Sequence, residues 1–180
     1  MPVLRSDHHV LRPFEKKDAR SFAAAVRESM STVGAWMTWA SSDYSEAQAL
    51  AWFAACDESR ANGSAHEFGI FGLDQVSLMG GAGLNQFNSA NDFCNLGYWV
   101  RESAQRKGAG LTAIRALSQF AFRELGQSRV EIVVARDNIP SLSLARKANC
   151  TYECLAKNRI KLRGEALAAH VLSLTPDSGA

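Results

Sequence analysis

Gln105-Arg106-Lys107-Gly108-Ala109-Gly110 stands directly between a run that reads as a strand, ending near Val100, and a long amphipathic helix that begins at Ala109. A chain can bind phosphate at such a place. Glycines let backbone N–H groups come close to an anion, the first helical turn has unpaired donors and a partial positive charge, and Arg106 and Lys107 add full charges. The segment is not a Walker A loop, because Gly-Lys-Ser/Thr is absent. It is not the GxGxxG of a dinucleotide fold either, because it has a single glycine pair with one-residue spacing. A basic helix start with a glycine-rich turn and no ligand is the plain alternative.

Working outward, the helix runs from Ala109 to Leu125, with Leu111, Ile114, Leu117, Ala121 and Leu125 on one face and Gly126 where a left-handed cap would sit. The strand Arg129 to Ala135 follows, rich in Val and Ile as a strand covered on both faces tends to be. Pro140 opens a short helix to Ala148 where its missing N–H costs nothing, with Arg146 and Lys147 in the last turn. Two closing strands, Tyr152 to Lys161 and Leu167 to Leu174, flank a turn at Arg163-Gly164-Glu165. In the other direction, Glu67 to Leu73, Val76 to Phe87 and Phe93 to Val100 predict an antiparallel meander. Before them the spacing predicts helices over Lys16 to Met30 and Ser45 to Ala61. Asp18 sits where the dipole of the first favours it; the second has Ser45 as N-cap, Gln48 completing a capping box, and Leu50, Phe53 and Ala54 on one stripe. Val10 to Phe14 reads as extended and Trp36-Met37-Thr38-Trp39 as an aromatic loop. The expected fold class is α+β, one mixed, mostly antiparallel sheet flanked by helices, in a single domain over residues 1–180.

The 180 residues are 47% apolar and 21% charged, ordinary globular values that exclude a disordered or collagen-like chain. Twenty Lys+Arg against eighteen Asp+Glu leave a net charge of +2, too balanced to argue for nucleic acid or a membrane surface. No signal segment or membrane span is read, so the expected location is the cytoplasm. Cys56, Cys94, Cys150 and Cys154, and His8, His9, His66 and His170, are scattered without zinc-ligand spacing, so the cysteines are expected as reduced, mostly buried thiols and no metal is expected.

Gln105-x-x-Gly108-x-Gly110 resembles the acetyl-CoA signature of the GCN5-related N-acetyltransferase (GNAT) superfamily. Leu11-Arg12-Pro13 with Asp18-Ala19, Gly97-Tyr98-Trp99-Val100, Asn138-x-x-Ser141 and Trp36-x-x-Trp39 resemble the RimJ/RimL-type subgroup that acetylates ribosomal-protein amino termini. The likeness runs from about residue 11 to about residue 174. It implies the GNAT acyl-CoA N-acyltransferase fold, with acetyl-CoA as co-substrate and direct attack by an amine. It also implies that Tyr98, Trp99 and Val100 hold the pantetheine arm through backbone groups. The pyrophosphate would lie on the amides from Arg106 to Gly110, Ala109 included, after Gln105. Asn138 and Ser141 would face pantetheine and sulfur.

Such chemistry asks for an N–H to hold an oxyanion, a hydroxyl to protonate the thiolate, and a base or water chain for an amine. Ser141 is the candidate proton donor, its alternative being a residue that merely satisfies the helix start; Tyr152 is the next hydroxyl, with a packed aromatic as the alternative. The strand before Gly97 reads Cys94-Asn95-Leu96 and has no Glu, which leaves Glu67, Asp92 or a water chain as base. Relatives usually show Gly-Phe where this chain has Asn149-Cys150, and an Asp where it has Ala168. Cys94 and Cys150 read as core packing rather than as acetyl-cysteine sites. Trp36 and Trp39, between Ser31-Thr32 and Ser41-Ser42, are placed at the acceptor mouth. The expected partner is a primary amine, a protein or peptide amino terminus first. A small-molecule amine (amino acid, polyamine or antibiotic) and a catalytically silent acyl-CoA-binding module are the alternatives. No nucleic acid or membrane is expected, and a homodimer stays open as the assembly.

Overall fold

The computed structural model describes residues 2–176. In chain order the elements are β1 (Leu4–Arg5), β2 (Val10–Arg12), α1 (Ala19–Glu28), α2 (Glu46–Ala61), β3 (His66–Phe71), β4 (Leu78–Asn88) and β5 (Phe93–Val100), then α3 (Ala109–Arg123), β6 (Arg129–Ala135), α4 (Ile139–Lys147), β7 (Thr151–Leu162) and β8 (Glu165–Leu174). The strands form one mixed sheet in the order β1-β2-β3-β4-β5-β6-β8-β7, antiparallel throughout except for β5 and β6. Helices cover it on both sides, so the expected α+β class holds.

Strand alternation gives the sheet two apolar faces. On one, α3 and α4 pack over Leu84, Leu96, Ile132 and Leu172; on the other, α1 and α2 pack over Phe71 and Leu78 with Phe14, Phe22 and Phe53 between. The second helix starts as expected: Ser45 Oγ accepts from Gln48 N at 3.2 Å, and Gln48 Oε1 accepts from Ser45 N at 2.8 Å. Its buried stripe differs, being Ala49, Phe53 and Cys56, while Leu50 and Ala54 face outward. The sheet lies one position round the helix from the stripe read off the sequence. β6 is also not covered on both faces: Val130, Ile132 and Val134 are buried and their neighbours only partly so. α3 covers one side of it, and α1 and α2 stop short of the other.

Leu11-Arg12-Pro13 and Asp18 meet in a buried bidentate pair, with Arg12 Nη1 to Asp18 Oδ2 at 2.7 Å and Nη2 to Oδ1 at 2.9 Å. The guanidinium also donates to Pro13 O and Gln75 O and lies over the Phe71 ring. Asp18 is therefore an ion-pair partner that joins β2 to the start of α1, and it caps no helical N–H through its side chain. Such a pair orients the elements it joins, because both groups are desolvated and need each other.

The feature that positions the site is the parting of β5 from β6. They pair only through Phe93↔Arg129, Cys94↔Val130 and Asn95↔Glu131. Beyond Asn95, β5 stays with β4 up to Val100, and β6 stays with β8 up to Ala135. A bulge in β4, with Gln86 at φ 51°, sits opposite the point of divergence and adds local twist. The outer edge of β5 from Leu96 onward has no ladder partner among the described residues.

Candidate active site

The strand leaving this split runs into the glycine loop. Glu102 N donates to Ser29 Oγ at 3.0 Å, Ser103 N donates to Glu28 Oε1 at 2.8 Å, and Arg101 pairs with Glu28, whose carboxyl is held down at about 2 chiefly by that guanidinium. Gln105 Nε2 reaches back to Val100 O at 3.4 Å. Arg106 and Gly108 then take left-handed φ values of 61° and 86°. Glycine meets that demand at no steric cost, and here it leaves the backbone bare: a Cβ at Gly108 would meet only His9 Cε1, at 3.8 Å. The N–H groups from Lys107 to Leu111 have no partner among the described residues, and Arg106 and Lys107 are exposed and form no ion pair there. Gly110 has a different reason to be glycine, since a Cβ there would meet Leu144 Cδ2 at 2.6 Å. Its missing side chain lets α4 press onto α3.

Across the split, Asn138 caps α4 by accepting from Ser141 N at 3.2 Å. Ser141 Oγ is 2.9 Å from Tyr98 Oη, which also donates to Ser141 O at 3.2 Å. Burial pushes the Tyr98 phenol up to about 12, so it stays protonated at neutral pH. Tyr98 is thus the hydroxyl beside Ser141. Tyr152 is not brought to this pair: it lies 43% exposed on β7, with its hydroxyl 3.4 Å from His170 Nδ1 and its ring under Arg146. β7 is the outermost strand of the sheet, and Tyr152, paired with Leu172, meets α4 at Arg146 in its last turn and not at Ser141 in its first.

On the other side of β5 a cavity of about 300 Å³ opens between the sheet and the α1–α2 side. Its floor is glycine. Gly83 pairs with Gly97, and the Trp99 indole and the Glu67 carboxylate lie across Gly81 and Gly83, where a Cβ would come within 2.7 Å of Trp99 Nε1 and 1.9 Å of Glu67 Oε2. Trp99, cited in the sequence for its backbone, therefore sends its side chain into this cavity. The walls include Phe22, Trp39, Tyr44, Trp52 and Trp99, with Trp39 and Trp52 about two-fifths exposed at the rim. Glu67 Oε1 accepts weakly from Asn85 Nδ2 at 3.4 Å, and burial raises its pKa.

The paired tryptophans divide. Trp39 borders the cavity, whereas Trp36 is partly buried in the same turn-rich segment and takes no part in the wall. Asp92 is also displaced from the site: it is exposed in the β4–β5 turn at φ 47°, and its carbonyl accepts from Ser128 N and Oγ. Cys94 and Cys150 are buried among apolar groups, with thiols pushed up to about 12 and about 11; Cys154 is exposed. Among the described residues no cluster of three His, Cys, Asp or Glu could hold a metal ion. Trp52, on α2, and the run Gly80-Gly81-Ala82-Gly83 passed unread as site residues, although three glycines in one strand signal close approach of other groups.

A mixed sheet split at its parallel pair, with a bare, unsatisfied helix start beside the split, is the fold of an acyl-CoA N-acyltransferase. The chain belongs to the GNAT acetyltransferases, enzymes that move an acetyl group from acetyl-CoA to an amine: the acetyltransferase (GNAT) domain model matches residues 8–151. YdaF of Bacillus subtilis (strain 168), provisionally named a ribosomal N-acetyltransferase, is 27% identical over 164 residues, 88% of this chain and 86% of its own. A Vibrio cholerae structure, provisionally titled a ribosomal-protein-serine acetyltransferase, is 31% identical, covers 97% of this chain and 98% of its own, and superposes with a TM-score of 0.86. RimL, the ribosomal L7/L12 alpha-N-protein acetyltransferase solved with coenzyme A, shares the fold at a TM-score of 0.84 and 20% identity, over 98% of this chain and 99% of that one. No helix among the described residues is long and apolar enough to cross a membrane.

Proposed function

We propose that this chain acts as one cytoplasmic N-acetyltransferase domain on the free amino terminus of a protein or peptide. The observation that carries the reading is a junction. The Tyr98–Ser141 pair at the strand split and the cavity holding Glu67 meet along Gly97 and Tyr98, so a donor in the split and an amine in the cavity would adjoin. The names of YdaF and of the Vibrio cholerae protein support a ribosomal-protein amino terminus as acceptor.

The loop fits a pyrophosphate in donors, charge and space: unpaired N–H groups from Lys107 to Leu111, two free cations, and open room over Gly108. Arg106, Lys107, Gly108, Ala109 and Gly110 would hold it, while Gln105 fixes the loop to Val100. The open edge of Tyr98, Trp99 and Val100 would line the pantetheine arm, with Asn138 holding the α4 helix start in place. Bound acetyl-CoA supplies a thioester carbonyl and a thiol leaving group. Ser141, hydrogen-bonded to Tyr98, donates the proton to sulfur; a free backbone N–H of β5 holds the carbonyl oxygen. Amine attack on a thioester needs no Lewis acid, so no metal is assigned and turnover is expected to survive EDTA.

The enclosed volume of the cavity supports a small-molecule amine as second reading. A thiol-release assay over short peptides, amino acids and polyamines, with mass spectrometry of the products, decides between them. Acetylation of small amines with no peptide turned over would replace the first reading by the second.

A further inference from the structure

Glu67 is the sole charged residue lining the cavity among the described residues. Its carboxylate has no cation within ion-pair distance: Arg60 of α2 donates to the Glu67 backbone carbonyl at 3.0 Å, and the neutral Asn85 amide is the carboxylate's hydrogen-bond partner. Apart from Arg60 and the Asp57 that pairs with it, the titratable groups closest to it carry no charge at pH 7. Cys56 of α2 is pushed up to about 12 by burial, Tyr98 of β5 likewise, and His66 turns to Phe87 and Phe120 on the opposite face. A carboxylate partly withdrawn from water, with Arg60 acting on it only through space and forming no ion pair, is costly unless a ligand completes it. Around this anion stand the rings of Phe22, Trp39, Tyr44, Trp52 and Trp99, whose faces attract a cation and whose area covers an apolar body.

We infer that Glu67 with its aromatic walls is the acceptor's ammonium site, and that it selects one protonated amine carried on an uncharged, apolar body. The inference rests on the acetyl-transfer reading for its chemistry. The acceptor enters as R–NH3+, and Glu67 takes one proton, leaving R–NH2. The N–C bond then forms as the C–S bond breaks and Ser141 protonates the sulfur; nitrogen loses its second proton to water, Ser141 regains one from water, and Glu67 releases its proton to solvent, a net loss of one proton. Specificity follows from the single carboxylate. A polyamine would bury a second charge without a partner, and an acidic first residue would set like charge beside Glu67.

The test uses the full chain. Leucyl-alanyl-alanine amide, its N-acetylated form, the aspartyl counterpart and spermidine are titrated by calorimetry into wild type, Glu67→Gln and Gly83→Ala. The leucyl peptide is expected to bind at least about tenfold tighter than the other three, and to lose that advantage in both variants while CoA affinity is unchanged. Gly83→Ala reaches the same group without altering it, because the new Cβ occupies the carboxylate's place. In turnover, Glu67→Gln is expected to lower kcat/KM at pH 7 about a hundredfold. Wild type uses the ammonium and an ionised Glu67, so its activity is lost as pH falls through the raised carboxyl pKa. Glu67→Gln needs the free amine, so its acid limb should move up to the α-amino range of about 7.7 to 8.0. An unmoved pH profile, or spermidine or the aspartyl peptide binding as tightly as the leucyl peptide, overturns the inference. Glu67-dependent peptide binding with no thiol release from any amine overturns the acetyl-transfer reading and leaves the ammonium site standing.

Discussion

Tyr98 and Trp99 are consecutive, yet they belong to two recognition surfaces of opposite construction. Tyr98 packs with the α3 side, where the proposed CoA site is made of backbone: five unpaired N–H groups, one bare left-handed glycine and the open edge of a strand. Trp99 packs with the α1–α2 side, where the cavity is made of side chains drawn from β3, α1, α2 and the segment between them. A surface built from backbone depends on a few consecutive positions, because each glycine or N–H has its place through the chain's own geometry. A surface built from side chains depends on packing between distant segments, and any one ring can be replaced by another of similar shape. The first should fail sharply at single positions and the second by degrees.

Gly108→Val presses hardest on that contrast. A branched side chain at φ 86° fills the open space over the loop and blocks several charge-assisted bonds of about 1.5 to 3 kcal/mol each, so CoA affinity is expected to fall at least a hundredfold by calorimetry. Left-handed strain alone is controlled by Gly126→Val, at φ 65° beyond the far end of the same helix with nothing within 4 Å of its Cβ. It should cost stability and leave CoA binding intact. Near-normal CoA affinity in a folded Gly108→Val protein would remove the backbone site from the comparison.

Ser141→Ala asks whether the side-chain contribution at the strand split is chemical. The expectation is a drop in kcat of about ten to ten thousandfold with CoA affinity little changed. Tyr98→Phe removes the hydroxyl 2.9 Å away and should lower kcat less, since Ser141 keeps its own proton. If single-turnover rates show Tyr98→Phe to be the more damaged variant, the phenol is the donor and Ser141 its relay.

The same contrast explains what could be read before any coordinates. Strand β5, Phe93–Val100, and strand β6, Arg129–Ala135, emerge with the bounds expected of them, and so does the Ser45–Gln48 capping box, because alternation and caps are local. The glycine loop was legible for the same reason. The sequence leaves Glu67 level with Asp92 and a water chain as base, since what distinguishes Glu67 from Asp92 is Gly83 on the next strand, sixteen positions away, and its lower exposure. Tyr152 reads from the sequence as the hydroxyl next after Ser141 and Tyr98 only as backbone, because the facing of β5 toward α4 has no local signal. Spacing also could not tell which of two tryptophans three residues apart would turn to the cavity, in a segment without a regular period.

Those tryptophans give the smallest expected effect and the finest test of the side-chain surface. Trp39 stacks near Phe22, Tyr44 and Trp99 with ring centroids at 6.4, 6.1 and 5.8 Å, and it is 43% exposed at the rim. Truncating it opens the cavity to water on one side while the other rings remain, so Trp39→Ala should raise acceptor KM by several-fold up to about tenfold, near 1.4 kcal/mol, with CoA affinity unchanged. Its partial exposure keeps the stability cost below the 3 to 5 kcal/mol or so of a fully buried Trp. Trp36→Ala, outside the wall, should leave acceptor KM within experimental error and lower thermal stability modestly. Equal effects of the two on KM would mean that the segment acts as one packed unit, and the acceptor surface would then be as position-sensitive as the glycine loop.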